Sequence, residues 1–313
     1  MSDTVERIAD ALLYEGYLLY PYRRSAVKNR QRFNFGVLYP EEHVAAGGSD
    51  TADRCFMQIE CLVLGAAATT LSLKVRFLQL MESTAGGDAS APWQEATERA
   101  VTLSCSLAEL AIVPRRHEFS FPGGEDATGR ATHSLDGELE LSARTIDDTT
   151  LRLRVRVTNR TRSSASGVDR SDILARSLVS CHAIVTLEAG EFVSLLDPPP
   201  ELAALAGSCE NIGAWPVLAG GAGTRNTLLV SPIILYDYPT IAPESAGDLF
   251  DATEIDEILS LRILTLTDEE KREVRESDER ARHLLDRTEA LTGEQLMQMH
   301  GILRQPRLFE DHP

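Results

Sequence analysis

Cysteine and histidine are the residue types in this chain that can ligate a metal ion or act as nucleophiles. The 313 residues include five cysteines and seven histidines, yet neither Cys-x-x-Cys nor His-Glu-x-x-His occurs. Cys55 and Cys61 share one face of a predicted strand but lie about 20 Å apart, at about 3.3 Å per residue. Cys181 and His182 are adjacent in a strand and therefore point to opposite faces. We predict no metal site and no cofactor, with Cys209 and His182 the least implausible metal ligands.

Motifs for nucleophilic catalysis or phosphate binding are also missing from the sequence. No Gly-x-Ser-x-Gly occurs, and the glycine cluster Gly220–Gly223 lacks the Lys-Ser/Thr of a P-loop. We interpret this cluster as a loop before a strand at 227–235. A Ser/His/Asp site assembled from distant positions stays open, but we predict no catalytic residues.

A short segment near the N-terminus combines basic and aromatic residues in an otherwise acidic chain. It either docks on the acidic C-terminal part of its own chain or contacts another protein, because Tyr and Arg are favoured at interfaces. Both interpretations can hold together. The residues predicted to bind a partner are Tyr20, Tyr22, Arg23, Lys28, Asn29 and Arg30 here, with Tyr236, Asp237 and Tyr238 further along the chain.

An arginine ladder marks one predicted hairpin, in which leucine and valine alternate with charged residues over 135–141 and 151–157. Leucine rows on the two strands pair only if the turn centres near Asp147. That register would place Glu140 opposite Arg154 and Glu138 opposite Arg156. We favour a solvated, acid-paired sheet face over an anion-binding groove.

The elements that must position these residues follow from the periodicity. Apolar residues recur at helical spacing over 4–19, at a period of two from about 55 to 238, and again in charged, helix-like segments after 243. The predicted fold class is α+β, mainly β: an antiparallel β-sandwich, immunoglobulin-like or jelly-roll-like, with an N-terminal helix and a C-terminal helical tail. The predicted domains are 1–40 (helix and basic aromatic segment), 41–245 (sandwich) and 246–313 (acidic helical tail).

The predicted tail contains a highly charged helix over about 268–290 and a last short helix over 294–303. Thr267 and Glu270 form a capping-box pattern at the start of the first helix. Its apolar positions make a narrow stripe that could pack on a partner helix or fold back on the sandwich. The stripe consists of Val274, Ala281, Leu284 and Leu285.

The overall charge narrows the classes of partner. The formal net charge is −17 and the pI is about 4.9, which argues against nucleic acid or an anionic membrane. No apolar run approaches the roughly 20 residues that a membrane helix needs, so we expect no membrane insertion. The acidic N-terminal residues lack the layout of a secretory signal, and the cysteines are sparse and odd in number. We therefore expect a cytoplasmic protein with reduced thiols.

Two stretches of the sequence resemble one known protein family. The first is Tyr14–Arg23, continued by Ser25–Asn29 and by Phe35 and Gly36. The second comprises Ser231–Pro239, Ala242–Ser245, Gly247–Phe250, Thr253–Ile258 and Leu266–Arg272. Both are similar to members of a family of uncharacterised proteins encoded in actinobacterial-type gene clusters for the high-affinity uptake nickel–iron (NiFe) hydrogenase. The likeness covers roughly a third of the chain.

The resemblance implies an accessory role and assigns no catalytic residue. We predict a non-enzymatic protein that binds subunits or maturation factors of the NiFe uptake hydrogenase, in assembly, maturation or scaffolding. The alternative is a hydrolase or redox enzyme of hydrogenase biogenesis, with its site between the sandwich and the tail. Neutralising Arg23, Lys28 and Arg30 together is predicted to weaken complex formation and leave the fold intact.

Overall fold

The computed structural model describes residues 2–299 apart from 49, 51, 66–68, 84–93, 126–128, 164–168, 243–244, 246, 248, 251–255 and 278. Within this part the helices are α1 Ser2–Leu13, α2 Glu41–Ala45, α3 Leu107–Ile112, α4 Arg170–Leu174, α5 Ala203–Gly207, α6 Asp256–Leu264, α7 Asp268–Ser277, α8 Glu279–Glu289 and α9 Gly293–Met299. The strands are β1 Phe56–Leu64, β2 Thr70–Ser83, β3 Gln94–Ser106, β4 Arg115–Phe121, β5 Gly124–Glu125, β6 Arg130–Thr132, β7 Leu135–Thr145, β8 Thr150–Asn159, β9 Val179–Leu187, β10 Glu191–Phe192, β11 Trp215–Leu218 and β12 Thr227–Ser231. Short 3-10 helices lie at Val27–Gln31 and Pro200–Leu202.

These strands form two antiparallel sheets. One sheet has the order β10-β1-β8-β7-β4, and the other has the order β11-β12-β9-β2-β6-β5. β2 is long enough to pair with β9 and then β6 along one edge, while β3 pairs with its other edge. The predicted fold class, a mainly β α+β protein with a C-terminal helical tail, is confirmed.

The alternating pattern of the strands forms the core between the sheets. On β7 the leucines Leu135, Leu139 and Leu141 are fully buried, and their polar neighbours lie on the outer face. Leu73 and Val75 of β2 join the same apolar cluster from the opposite sheet. Each such side chain contributes roughly 1.5–3 kcal/mol when it leaves water, which explains why this pattern specifies which face of each strand turns inward.

The register of the β7–β8 hairpin differs from the prediction. Glu140 lies opposite Arg156, and Glu138 opposite Thr158, so the hairpin is centred one residue later, at Asp148. The turn explains the shift: the Asp147 side chain accepts hydrogen bonds from the backbone N–H and the hydroxyl of Thr149. These contacts lower the pKa of Asp147. The leucine rows still share one face, because the shift preserves the alternation.

The chain divides into two compact units whose bounds differ from the three predicted domains. The sandwich unit comprises Met1–Tyr14 and Phe33–Thr240, and the helical unit comprises Glu15–Arg32 and Ile241–Pro313. The predicted segment 1–40 is thus split. Its helix α1 packs its apolar face on the sheet that contains β9, whereas the basic aromatic stretch belongs with the acidic C-terminal helices.

Two predicted helices end earlier than their periodicity suggested. α1 ends at Leu13 rather than at 19, and Gly16 follows with a φ of 72°, a conformation typical of residues that end helices. The predicted helix 268–290 is divided into α7 and α8, which are joined by ion pairs from Lys271 to Glu289 (3.0 Å) and from Arg275 to Asp286 (3.4 Å). Residues 300–303 of the predicted last helix lie outside the described part.

The helical unit has its own apolar interior. The predicted stripe of Val274, Ala281, Leu284 and Leu285 is buried, as are Leu259 and Ile263 of α6. Helix α8 contacts both α6 and α7, so the stripe is covered within the unit. The predicted capping box is confirmed, because the backbone N–H of Thr267 donates to Glu270 (2.9 Å) and that of Glu270 donates to the Thr267 hydroxyl (3.3 Å). No helix in the described part is long and apolar enough to span a membrane.

Candidate functional site

A group of large apolar side chains is exposed beside the edge strand β11. We call it the Tyr236 surface and define it by Leu196, Trp215, Ile234 and Tyr236. Tyr236 is 87% exposed and Ile234 is 69% exposed. Monomeric proteins tolerate scattered apolar residues, but exposed apolar and aromatic side chains on one part of the surface are typical of interaction sites.

The segment after β12 runs back along β11 and presents these residues. Ser231 pairs with Trp215 at one end of β11, and the N–H of Tyr238 donates to the carbonyl of Leu218 at the other end (2.7 Å). Ile234 and Tyr236 alternate with Leu235, which packs inward on an apolar cluster of the sandwich unit. An extended segment with one face packed inward therefore exposes the other face.

Asp237 fixes this segment. One carboxylate oxygen accepts from the hydroxyl of Ser194 (2.5 Å), and the other accepts from the backbone N–H of Leu218 (2.7 Å). Tyr238 is half-buried and packs against the core between the sheets. Of the three residues predicted here to bind a partner, Tyr236 is therefore the exposed one, and its neighbours on both sides hold the backbone that carries it.

Two residues of the basic aromatic segment form internal contacts in the helical unit. Asn29 is 5% exposed, and its side chain accepts from the N–H of Leu19 (2.7 Å) and donates to the carbonyls of Leu19 and Arg23 (both 2.9 Å). Tyr22 is fully buried, and its hydroxyl donates to the carbonyl of Leu249. These side chains are not exposed for a partner, which differs from the role that we predicted for them.

The charged members of the segment lie near the acidic helices of the same unit. Arg23 forms an ion pair with Glu270 (3.1 Å), and the guanidinium of Arg262 lies 5.3 Å from the ring centroid of half-buried Tyr20. Hydrogen bonds from Thr267 lower the pKa of Glu270, and Arg23 lowers it further. The predicted docking of this segment on the C-terminal part of its own chain is thus seen in these contacts. Lys28 is exposed, and the Arg30 side chain lies outside the described part.

His182 occupies a charged cluster between α1 and the outer face of its sheet. The cluster centres on Arg76, which is 6% exposed and forms ion pairs with Asp10 (2.6 Å), Glu6 (3.3 Å) and Glu98 (3.5 Å). The Nδ1 atom of fully buried His182 lies 2.9 Å from the Ser180 carbonyl, while Nε2 has no partner in the described part of the chain. Burial lowers the pKa of this histidine to about 4.

The two candidate metal ligands lie on opposite faces of the sandwich. Cys181 belongs to the core between the sheets, so the next residue, His182, points to the outer face of its sheet. Cys209 packs with Leu62, whose neighbour Cys61 also belongs to that core, so Cys209 lies outside the other sheet. His182 and Cys209 therefore cannot share one ion. In the described residues, no three His, Cys, Asp or Glu side chains are grouped to hold a metal.

Comparisons with known proteins assign no role to this site, so its interpretation rests on its geometry. No family model matches the chain, and no curated protein sequence matches it. Residues 243–244, 248 and 253–255 of the second resembling stretch lie outside the described part. The exposure of Tyr236 could not be read from the sequence, because the run Ile233-Ile-Leu-Tyr-Asp-Tyr238 is almost entirely apolar and aromatic and does not distinguish the inner face from the outer face.

Proposed function

We propose that this protein is a non-enzymatic accessory protein that acts in the cytoplasm and binds a subunit or maturation factor of a NiFe uptake hydrogenase. The observation that carries the binding role is the Tyr236 surface, in which an 87% exposed tyrosine is borne by an anchored segment. The identity of the partner rests on the resemblance of the two sequence stretches described above.

The rigid backbone of the Tyr236 surface favours binding. A tyrosine on a flexible loop loses conformational freedom when it binds, whereas Asp237 and Leu235 already hold this segment. The partner that fits is a protein surface with an apolar recess and a hydrogen-bond acceptor for the tyrosine hydroxyl. Burial of Ile234 and Tyr236 on such a surface would contribute roughly 1.5–3 kcal/mol each.

Affinity purification tests the proposal. The tagged protein would be expressed at native level in cells that carry the hydrogenase gene cluster, and the eluate would be analysed for proteins and metals. We expect stoichiometric hydrogenase subunits or maturation proteins in the wild-type eluate. The double substitution Tyr236→Ala with Ile234→Ala should reduce that recovery at least tenfold, which corresponds to about 1.4 kcal/mol.

A matched control distinguishes specific binding by the Tyr236 surface from nonspecific hydrophobic binding. Ile112 is 82% exposed at the end of α3, and Ile112→Ala should leave recovery unchanged. Equal recovery with the double variant and the control would refute the Tyr236 surface as the interface. A protein that is eluted alone from these cells would refute the accessory role.

A further inference from the structure

Three arginines converge on the outer face of the five-stranded sheet, where β7, β8 and β1 lie side by side. Across these strands Ser142 faces Arg154, which faces Glu60, and in the next row Arg144 faces Arg152. A pocket of about 290 Å³ lies among them. Its lining consists of Glu60, Ser142, Ala143, Arg144, Arg152 and Arg154. This volume is near the lower limit of small-molecule sites.

The pairing of Arg144 with Arg152 across β7 and β8 is electrostatically unfavourable. Directly opposite residues of an antiparallel pair have Cβ atoms about 4.5–5.5 Å apart, and like charges there are destabilising. The exposed guanidinium of Arg144 makes no ion pair or hydrogen bond within the described residues. Three arginines and one glutamate give the lining a surplus of positive charge in a chain whose formal net charge is −17.

Arg152 is held in place before any ligand arrives. Its guanidinium donates to the carbonyl oxygens of Leu205 (3.2 Å) and Ser208 (3.3 Å), and its side chain is 13% exposed. The Nε atoms of Arg152 and Arg154 are both buried without a hydrogen-bond partner in the described part. Buried donors of this kind are usually satisfied, so these two N–H groups can donate to a bound anion.

Glu60 does not cancel the positive charge of the pocket. One of its oxygens accepts from the backbone N–H of Glu210 (3.1 Å) and lies 3.6 Å from Arg152. The other oxygen lies 3.8 Å from Nε of Arg154, too far for a hydrogen bond. Glu60 thus offsets about one of the three guanidinium charges. The remaining net charge of the pocket lining is positive and favours an anion.

We propose that this pocket binds the phosphate group of a small phosphorylated molecule or phosphate itself. A tetrahedral dianion offers several acceptor oxygens, which suits guanidinium groups that approach from neighbouring strands. The Ser142 hydroxyl adds a further donor. The anion would lie between Arg144 and Arg152 and relieve their repulsion. This site is separate from the proposed protein-binding function and does not depend on it.

Calorimetric titration of the full-length protein tests the site. The probes are inorganic phosphate, glycerol phosphate and, as a dicarboxylate control, succinate, at constant low ionic strength. We expect one saturable site for the phosphate compounds and weaker binding of succinate. Tighter binding of glycerol phosphate than of phosphate would identify a phosphorylated molecule as the ligand, and the reverse would identify the free ion.

Substitutions separate the pocket from general charge effects. Arg144→Gln and Arg154→Gln should each weaken phosphate binding about tenfold, because a hydrogen bond to a charged group is lost. The matched control is Arg116→Gln, on β4 of the same sheet, whose side chain is 69% exposed and paired with Glu140. It should bind phosphate like the wild type.

A stability measurement gives a second, independent readout. Without phosphate, Arg144→Gln should raise the melting temperature by about 1 °C, because it removes the repulsion with Arg152. Added phosphate should stabilise the wild type more than this variant, because the variant binds phosphate more weakly. Absence of saturable phosphate binding, binding of succinate as tight as that of phosphate, or equal affinity in Arg144→Gln and Arg116→Gln would overturn the proposal.

Discussion

Nη2 of Arg76 lies 2.6 Å from the carboxylate of Asp10, and this contact fastens α1 to the outer face of the sandwich sheet. The guanidinium is almost fully buried, whereas the Asp10 side chain is 58% exposed. Lys74 also connects α1 to this sheet, through its ion pair with Glu6 (2.7 Å). The N-terminal helix is thus held by apolar packing and by a buried positive charge with several partners.

Replacing Arg76 should loosen this helix. Arg76→Met leaves the carboxylates of Glu6, Asp10 and Glu98 without their shared partner, and we expect a loss of about 2 kcal/mol in the free energy of unfolding. Urea unfolding would measure it. The exposed ion pair of Arg116 is the control, since Arg116→Met should cost less than about 0.5 kcal/mol. Equal losses for the two variants would show that the Arg76 cluster adds nothing beyond an ordinary surface pair.

His182 should make stability depend on pH. Burial lowers its pKa in the folded protein to about 4, below the 6.5 of an ordinary histidine. Above pH 6.5 the ring is neutral in both states, so its contribution is intact there. Below pH 6.5 this histidine binds a proton in the unfolded chain but stays neutral in the folded protein. The free energy of unfolding therefore falls as the pH is lowered from 6.5 to about 4. Between pH 7.5 and pH 5 the loss should be about 2 kcal/mol.

The substitution His182→Gln isolates this effect from the titration of other groups. Arg76 and Lys74 disfavour the charged imidazole, and Asp10 favours it. All three residues are kept unchanged in both proteins, so that only the imidazole differs. Urea unfolding of the wild type and the variant at pH 7.5, 6 and 5 should show that the variant loses less stability on acidification. Parallel curves for the two proteins would contradict the low pKa.

Asn29 should act as a structural residue of the helical unit. Asn29→Ala removes three hydrogen bonds to the backbone of Leu19 and Arg23 from a site that is 5% exposed. We expect a cost of about 2–4 kcal/mol and faster hydrogen–deuterium exchange over residues 15–32. Val27→Ala, at a position that is 75% exposed, is the control. Unchanged exchange in Asn29→Ala would leave partner contact as the better explanation of this residue.

The five cysteines should differ in reactivity. Burial raises the pKa of the Cys61 and Cys181 thiols, whose side chains are inaccessible, whereas Cys55 and Cys209 are half-buried. A thiol reagent followed by mass spectrometry should label the latter pair first in the native protein and all five after denaturation. Labelling of Cys61 as fast as that of Cys55 would show that the core between the sheets opens readily.

The sandwich could be predicted because the alternation of apolar and polar residues within each strand indicates which side of that strand faces the core. The arginine ladder could not be assigned in the same way. Glu60, which approaches both Arg152 and Arg154, lies on a strand about 90 residues earlier in the chain, and nothing local to the hairpin indicates that pairing. Arg152 and Arg154 approach an acid of a third strand, and Glu140 of the hairpin is paired with Arg116 of β4.

The long charged helix failed as a prediction for a related reason. Charged residues whose spacing allows ion pairs along one helix can equally form ion pairs between two helices. The Lys271–Glu289 and Arg275–Asp286 pairs, which connect α7 to α8, are of this second kind. The hydroxyl of Ser277 at the end of α7 donates to the carbonyl of Glu273 (2.9 Å), a contact associated with bent or ending helices. A single serine is too weak a signal to find this break from sequence.

The buried contact between Tyr22 and Leu249 joins residues that are 227 positions apart. At a synthesis rate of about 5–20 residues per second, a ribosome needs roughly 10–45 seconds to travel between them. During that interval Tyr22 and its neighbours have left the ribosome without the segment that covers them. The helical unit therefore cannot be completed until the segment around Leu249 has been synthesised, and the basic aromatic segment lacks its buried contacts until then.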